Sequence, residues 1–156
     1  MDKIDILVIG GGGREHAVIK KLKQSKHAGK IYCAPGNGGI SMDAQCVNIK
    51  ATDTMLVTAF AKEHKIDLVV VTPDDPLALG MVDALEAEGI RAFGPNKAAA
   101  QIESSKVFAK ELMKKYGIPT ASYDVFDDPK EALEFIKKQD KYPTVIKADG
   151  LALGKG

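Results

Sequence analysis

Apolar positions along the chain follow two alternating periods. Residues 4–9, IDILVI, form a short, mostly apolar run that ends in four glycines, and REHAVIKKLKQS after them sets Val18, Ile19 and Leu22 on one helical face. That order predicts strand, tight turn, helix. The pattern returns with KIYCA as a second strand, CVNI as a third, and TDTMLVTAFAKEH as a helix whose Leu56 and Phe60 lie four apart. DLVVVT is a β-branched run of the kind found at the centre of a parallel sheet, buried on both faces. PLALGMVDALEAEG then spaces Ala78, Met81, Val82 and Leu85 for one helix, with Pro76 in its first turn and Gly89 at its end; RAFG closes the series as a fifth strand. Strands alternating with helices predict an α/β fold, a doubly wound parallel sheet of Rossmann-like type, with ligands at the carboxyl ends of the strands.

After FGPN the pattern changes. The run KAAAQIESSKVFAKELMKKYGIPTA contains a helix with Phe108, Leu112 and Tyr116 on one stripe, stopped by Gly117 and Pro119. SYDVF reads as a strand. DDPKEALEFIKKQ is a helix with Asp128 as N-cap, Pro129 at its first position and Glu131 three residues after the cap. YPTVIKAD reads as another strand, leading into the glycine-rich GLALGKG. The boundary between the two patterns is placed near Ile102, giving a domain over 1–102 and the beginning of a second over 103–156. About 54 residues are too few for an independent core of ordinary stability, so the second unit is expected to open a larger domain.

Composition adds limits. With 45% hydrophobic and 28% charged residues the chain has the content of a soluble globular protein. Lys and Arg number 22 against 21 Asp and Glu, so no global field draws it to nucleic acid or an anionic membrane, and any anion site must be local. Two cysteines outside a CxxC pair and three histidines offer no metal cluster. Met1 leads straight into the apolar run without a leader pattern, and the cytoplasm is the expected compartment.

Candidate chemistry begins at GGGGREHA, residues 10–17. A glycine turn that opens a helix points free N–H groups at an anion. A dinucleotide fingerprint fails on count: G-x-G-x-x-G started at Gly10 reaches Glu15, and started at Gly11 reaches His16, where a glycine or alanine belongs. The second strand also ends in APGNGG rather than in an acidic residue for a ribose. Two readings stay open for the glycines, a ligand site or a tight turn with Arg14, Glu15 and His16 solvated. APGNGG (34–39) and TPDDPL (72–77) each follow a strand, so all three turns are expected at one sheet edge. A backbone anion nest beside Arg14, an amide at Asn37 and a carboxylate at Asp74 would suit a phosphosugar bearing an amine.

The second constellation is Lys106 with VIKADGLALGKG. It is no Walker motif, since Gly156 stands where Ser or Thr must follow the lysine. A strand lysine, Lys147, ahead of a glycine loop can instead lie along the phosphates of a nucleotide, with Lys106 neutralising a neighbouring phosphate.

Taken together, GGGREHA, APGNGG, AFGP, IESSKVFAKELMKKYGIPTA and PTVIKADGLALGKG resemble the N-terminal part of the phosphoribosylamine–glycine ligase family, also called glycinamide ribonucleotide synthetases. The resemblance covers the whole chain in order. It implies a substrate-binding domain of the kind that precedes an ATP-grasp domain, followed by the start of that ATP-grasp domain. It also implies an activity of purine biosynthesis, in which ATP phosphorylates the carboxylate of glycine and the amine of 5-phosphoribosylamine attacks the acyl phosphate. By position, Gly12, Gly13, Arg14, Glu15, His16, Pro35, Gly36, Asn37 and Asp74 match loops on the phosphoribosylamine side. Lys106, Lys147, Gly150, Gly154, Lys155 and Gly156 match the ATP side. One departure is that Thr72-Pro73-Asp74 stands where the family commonly has Gly-Pro-Glu, which leaves the role of Asp74 open. The Mg²⁺ ligands of the family are expected beyond Gly156, so the chain is expected to be an N-terminal fragment, inactive alone. The alternatives are another ATP-grasp ligase and a non-catalytic Rossmann-type nucleotide-binding module.

Overall fold

Residues 3–152 are described by the computed structural model, and they form two units divided between Ala100 and Gln101. In the first, β1 (Ile4–Gly10), β2 (Ala28–Pro35), β3 (Gln45–Cys46), β4 (Leu68–Val71) and β5 (Ala92–Phe93) pair in parallel in the order β3-β2-β1-β4-β5. Between the strands run α1 (Gly13–Leu22), α2 (Thr54–Glu63), α3 (Asp74–Leu79) and α4 (Met81–Ala87), and α5 (Lys97–Ser104) follows β5 and runs through the division.

Strand side chains alternate between faces, and here both faces are covered. Leu7, Ile9, Val69 and Val71 pack with Val57 and Ala61 of α2 and Met81, Val82 and Leu85 of α4. Ile6, Val8, Ile31, Cys33 and Val70 pack on the other side with Ile19 of α1 and with Ile40 in a short 3₁₀ turn. This is the doubly wound α/β sheet. Two-sided burial explains why the central strands read as unbroken apolar runs. Each fully buried Leu, Ile or Val there contributes roughly 1.5–3 kcal/mol of transfer free energy.

Several elements differ from the sequence pattern. The third strand covers only Gln45–Cys46, not CVNI: Val47 still donates to Cys33 (2.8 Å), but Ile49 donates to the Val47 carbonyl in a turn that ends the ladder. Residues 76–89 form two helices rather than one, because Gly80 sits at φ 89°, a left-handed conformation that closes α3 and starts α4. In α2 the buried residues are Val57 and Ala61, with Phe60 beside them, whereas Leu56 is 53% exposed.

In the second unit the long run after FGPN is also split. Ser105 takes an extended conformation and accepts from the Phe108 amide (3.1 Å), capping α6 (Lys106–Lys115). Asp128 likewise caps α7 (Pro129–Gln139), accepting from the Lys130 amide (2.6 Å). The expected stripe on α6 is not buried: Phe108 and Tyr116 are exposed and Leu112 half-buried. SYDVF and YPTVIKAD are not strands among the described residues, and Lys147 therefore lies in an exposed segment without a ladder. A strand exists only through a ladder of backbone hydrogen bonds to a neighbouring strand, and among the described residues neither segment joins one.

Candidate functional site

Sheet register builds the front edge. Gly10 is level with Pro35 across β1 and β2, and Ile9 is level with Val71 across β1 and β4, so the turns after all three strands start at one height. The chain winds from β1 outward to β2 in one direction and from β1 to β4 in the other. The edge above β1 and β4 is thus the switch point at which open α/β sheets take ligands.

Side chains and amides then lace the turns together. The Gly36 amide donates to the Gly10 carbonyl (3.0 Å), and Asn37 Nδ2 donates to the Gly11 carbonyl (2.7 Å). Asn37 Oδ1 accepts from Gly39 (2.8 Å) and Ile40 (2.9 Å), so both ends of its amide shape the loop. The Ala34–Pro35 peptide is cis, and Pro35 is exposed at the rim. Beneath them Cys33 donates its thiol hydrogen to the Gly10 carbonyl (3.2 Å); burial, followed by neighbouring Cys46 and Glu15, pushes its pKa up to about 12, which keeps it a thiol.

The helix-opening residues part company. Gly12 is the N-cap of α1, and the amides of Gly13 and Arg14, in the first turn, have no carbonyl one turn back. Glu15 is not solvated: it is 4% exposed, with Oε2 accepting from the Gly12 amide (2.6 Å) and Oε1 from the Thr72 hydroxyl (2.6 Å). Its methylenes leave no room at Gly10, where a Cβ would lie 2.7 Å from Glu15 Cγ and 2.9 Å from Pro73 Cγ, with φ at 121° besides. His16 turns the other way, with Nε2 2.8 Å from Asp43 Oδ2, while Lys23 Nζ reaches Asp43 Oδ1 at 2.7 Å. Lys23 first and His16 second hold Asp43 down to about 2. Arg14 is the outward member, its side chain 66% exposed and its Nε 3.8 Å from Glu15 Oε1. Asp74 is exposed at the first position of α3, two residues after Thr72.

The lysine side lies in the second unit. Asp149 binds the start of α6, accepting from the amides of Lys106 (2.6 Å) and Val107 (3.2 Å) and the Ser105 hydroxyl (3.1 Å). These donors, the Val107 amide foremost, lower its pKa. Lys106 Nζ donates to the Gly150 carbonyl (2.7 Å), so Lys106 and Gly150 are brought together at the base of the glycine loop. Gly150 itself has φ 94°. Gly154, Lys155 and Gly156 lie outside the described residues. Sequence reasoning missed Thr72, Asp43 and Asp149. Their partners lie 57, 27 and up to 44 residues away, and no local pattern signals such pairs.

Comparison with known proteins bears on this arrangement. The family model described as phosphoribosylglycinamide synthetase, N domain, matches residues 4–103, and that of the ATP-grasp (A) domain of the same synthetases matches 104–156. The chain belongs to the phosphoribosylglycinamide synthetase family. Among relatives, phosphoribosylamine–glycine ligase of Caldanaerobacter subterraneus subsp. tengcongensis is 54% identical over 151 residues, covering 97% of this chain and 36% of that protein. The ligase of Clostridium acetobutylicum is 50% identical over the same share. The crystal structure of phosphoribosylamine–glycine ligase from Thermotoga maritima superposes with a TM-score of 0.72 at 35% identity, over 98% of this chain and 35% of that one. The chain thus spans about a third of the length of the synthetases it matches. Among the described residues no helix is long and apolar enough to cross a membrane.

Proposed function

We propose that this chain supplies the phosphosugar-binding domain, and the opening of the ATP-binding domain, of a ligase that joins glycine to 5-phosphoribosylamine in purine biosynthesis. The domain division is placed near Ile102. Carrying the reading is the front edge itself: helix-opening amides at Gly13 and Arg14 beside an exposed guanidinium, on a domain of this synthetase family. Amides at a helix N-terminus and a guanidinium hold a phosphate through charge-assisted hydrogen bonds. Gly12, Pro35, Gly36 and Asn37 shape the rim around the sugar, and Asp74 is positioned to meet its amine. Glu15 and His16 serve this edge from the sides.

In the second unit Lys106 and Lys147 neutralise phosphates of ATP, with Gly150, Gly154, Lys155 and Gly156 folding over them. A glycine carboxylate oxygen attacks the γ-phosphorus and ADP departs. The sugar amine then attacks the acyl carbon, the C–O bond to phosphate breaks, and the nitrogen loses a proton. Activation is required because a carboxylate is a poor electrophile. Mg²⁺ would neutralise charge on the transferred phosphate, and no residue of this chain is given that role.

A chimera tests this. With this chain in place of the matching third of the Clostridium acetobutylicum ligase, steady-state ADP formation should depend on both glycine and phosphoribosylamine, because the acyl phosphate must be consumed before the next turnover, and Arg14→Ala should raise KM for phosphoribosylamine more than for ATP. A folded chimera that turns over ATP at steady state without needing phosphoribosylamine, or turns over none, overturns the reading.

A further inference from the structure

We propose that Glu15 is a positioning residue: its buried carboxylate ties the β1–α1 turn to the β4–α3 turn and so sets the phosphate-holding amides, without touching the ligand. The inference rests on the phosphosugar reading of this edge. Geometry places Glu15 across the switch-point crevice, between the Gly12 amide on one wall and the Thr72 hydroxyl on the other, each at 2.6 Å. Thr72 is also 3.3 Å from the Ile9 carbonyl, but its single proton goes to the closer carboxylate. Its Cγ and Cδ lie over the bare Cα of Gly10, where a Cβ would come within 2.8 Å of both, and the side chain is held inside at 4% exposure rather than turned out towards a ligand. Both oxygens are engaged by the protein, and a ligand phosphate is left the outer amides of the same turn.

The tether makes a chemical prediction that a ligand-contacting charge does not. A glutamine can keep both links: its Oε1 accepts from Gly12, its Nε2 donates to the Thr72 oxygen, and the hydroxyl turns to the Ile9 carbonyl. Charge is then dispensable and shape is not.

The test is a titration of the 156-residue chain with ribose 5-phosphate, followed by amide chemical shifts, alongside amide exchange at Gly12 without ligand. Glu15→Gln should bind within about threefold of wild type and keep Gly12 protected. Glu15→Ala should bind on the order of tenfold more weakly, as preorganisation of the turn is lost, and should expose Gly12 to exchange. Thr72→Val removes the far anchor and should weaken binding several-fold, roughly, even if Glu15→Ala fails to fold. Glu15→Gln as weak as Glu15→Ala would show that the charge itself meets the ligand, against the proposal. Wild-type affinity in both Glu15→Ala and Thr72→Val overturns the positioning role alone, whereas no binding by wild type overturns the phosphosugar reading and this role with it.

Discussion

Arg14, Glu15 and His16 occupy one helical turn and point three ways, because successive helical residues are about 100° apart. Glu15 enters the crevice, His16 meets Asp43 on the β2 side, and Arg14 faces solvent. The sequence pattern offered all three as ligand-facing or solvated. Burial of Glu15 was not legible, since it depends on a hydroxyl 57 residues away. Asp43 gives this turn a pH signature. Its folded pKa is depressed, from 3.8 to about 2, so its contribution to stability is present in full above pH 3.8 and is lost as pH falls through about 2. Urea unfolding across that window should show wild type losing stability with acid more steeply than Asp43→Asn. Parallel slopes would mean that the Lys23–Asp43–His16 cluster is not formed in solution.

Elements were read best where burial is two-sided. The run at Leu68–Val71 is legible as a central strand because its neighbours on both faces demand apolar side chains, and Ile19 and Leu22 mark the inner face of α1. Breaks were read worst. Gly80 stands inside a perfect helical spacing of Ala78, Met81, Val82 and Leu85, and only its positive φ splits that segment. Gly80→Ala tests this: a left-handed alanine costs ~1–2 kcal/mol, and its Cβ would lie 3.3 Å from Lys97 Cδ. Denaturant unfolding should show destabilisation of about that size. A stabilised Gly80→Ala would mean that one continuous helix forms. The expected strands at 122–126 and 142–149 failed for a different reason: their composition suits a ladder, but composition cannot supply the partner strand.

On the scale of the whole molecule, the two units differ in what they bury. Central strand residues of the first are sealed on both faces, while α6 and α7 contain no buried residue and Val145 and Ile146 are 77% and 78% exposed. Amide exchange should follow: β1 and β4 should be protected more than α6 and α7 by on the order of a hundredfold or more. Equal protection would show that the second unit is as well buried as the first.

The central claim is that the front edge reads a phosphosugar rather than a dinucleotide. An amide-resolved NMR titration of the chain with ribose 5-phosphate, and separately with NAD, tests it most directly. The helix-opening amides and Arg14 can hold one phosphate, whereas β2 ends in Pro35-Gly36 without the carboxylate that would bind an adenosine ribose. Ribose 5-phosphate should shift Gly12, Gly13, Arg14, Gly36 and Asn37, NAD should not, and Arg14→Ala should weaken the sugar phosphate by ~1–3 kcal/mol. Shifts of those same amides by NAD, with ribose 5-phosphate silent, would contradict the account.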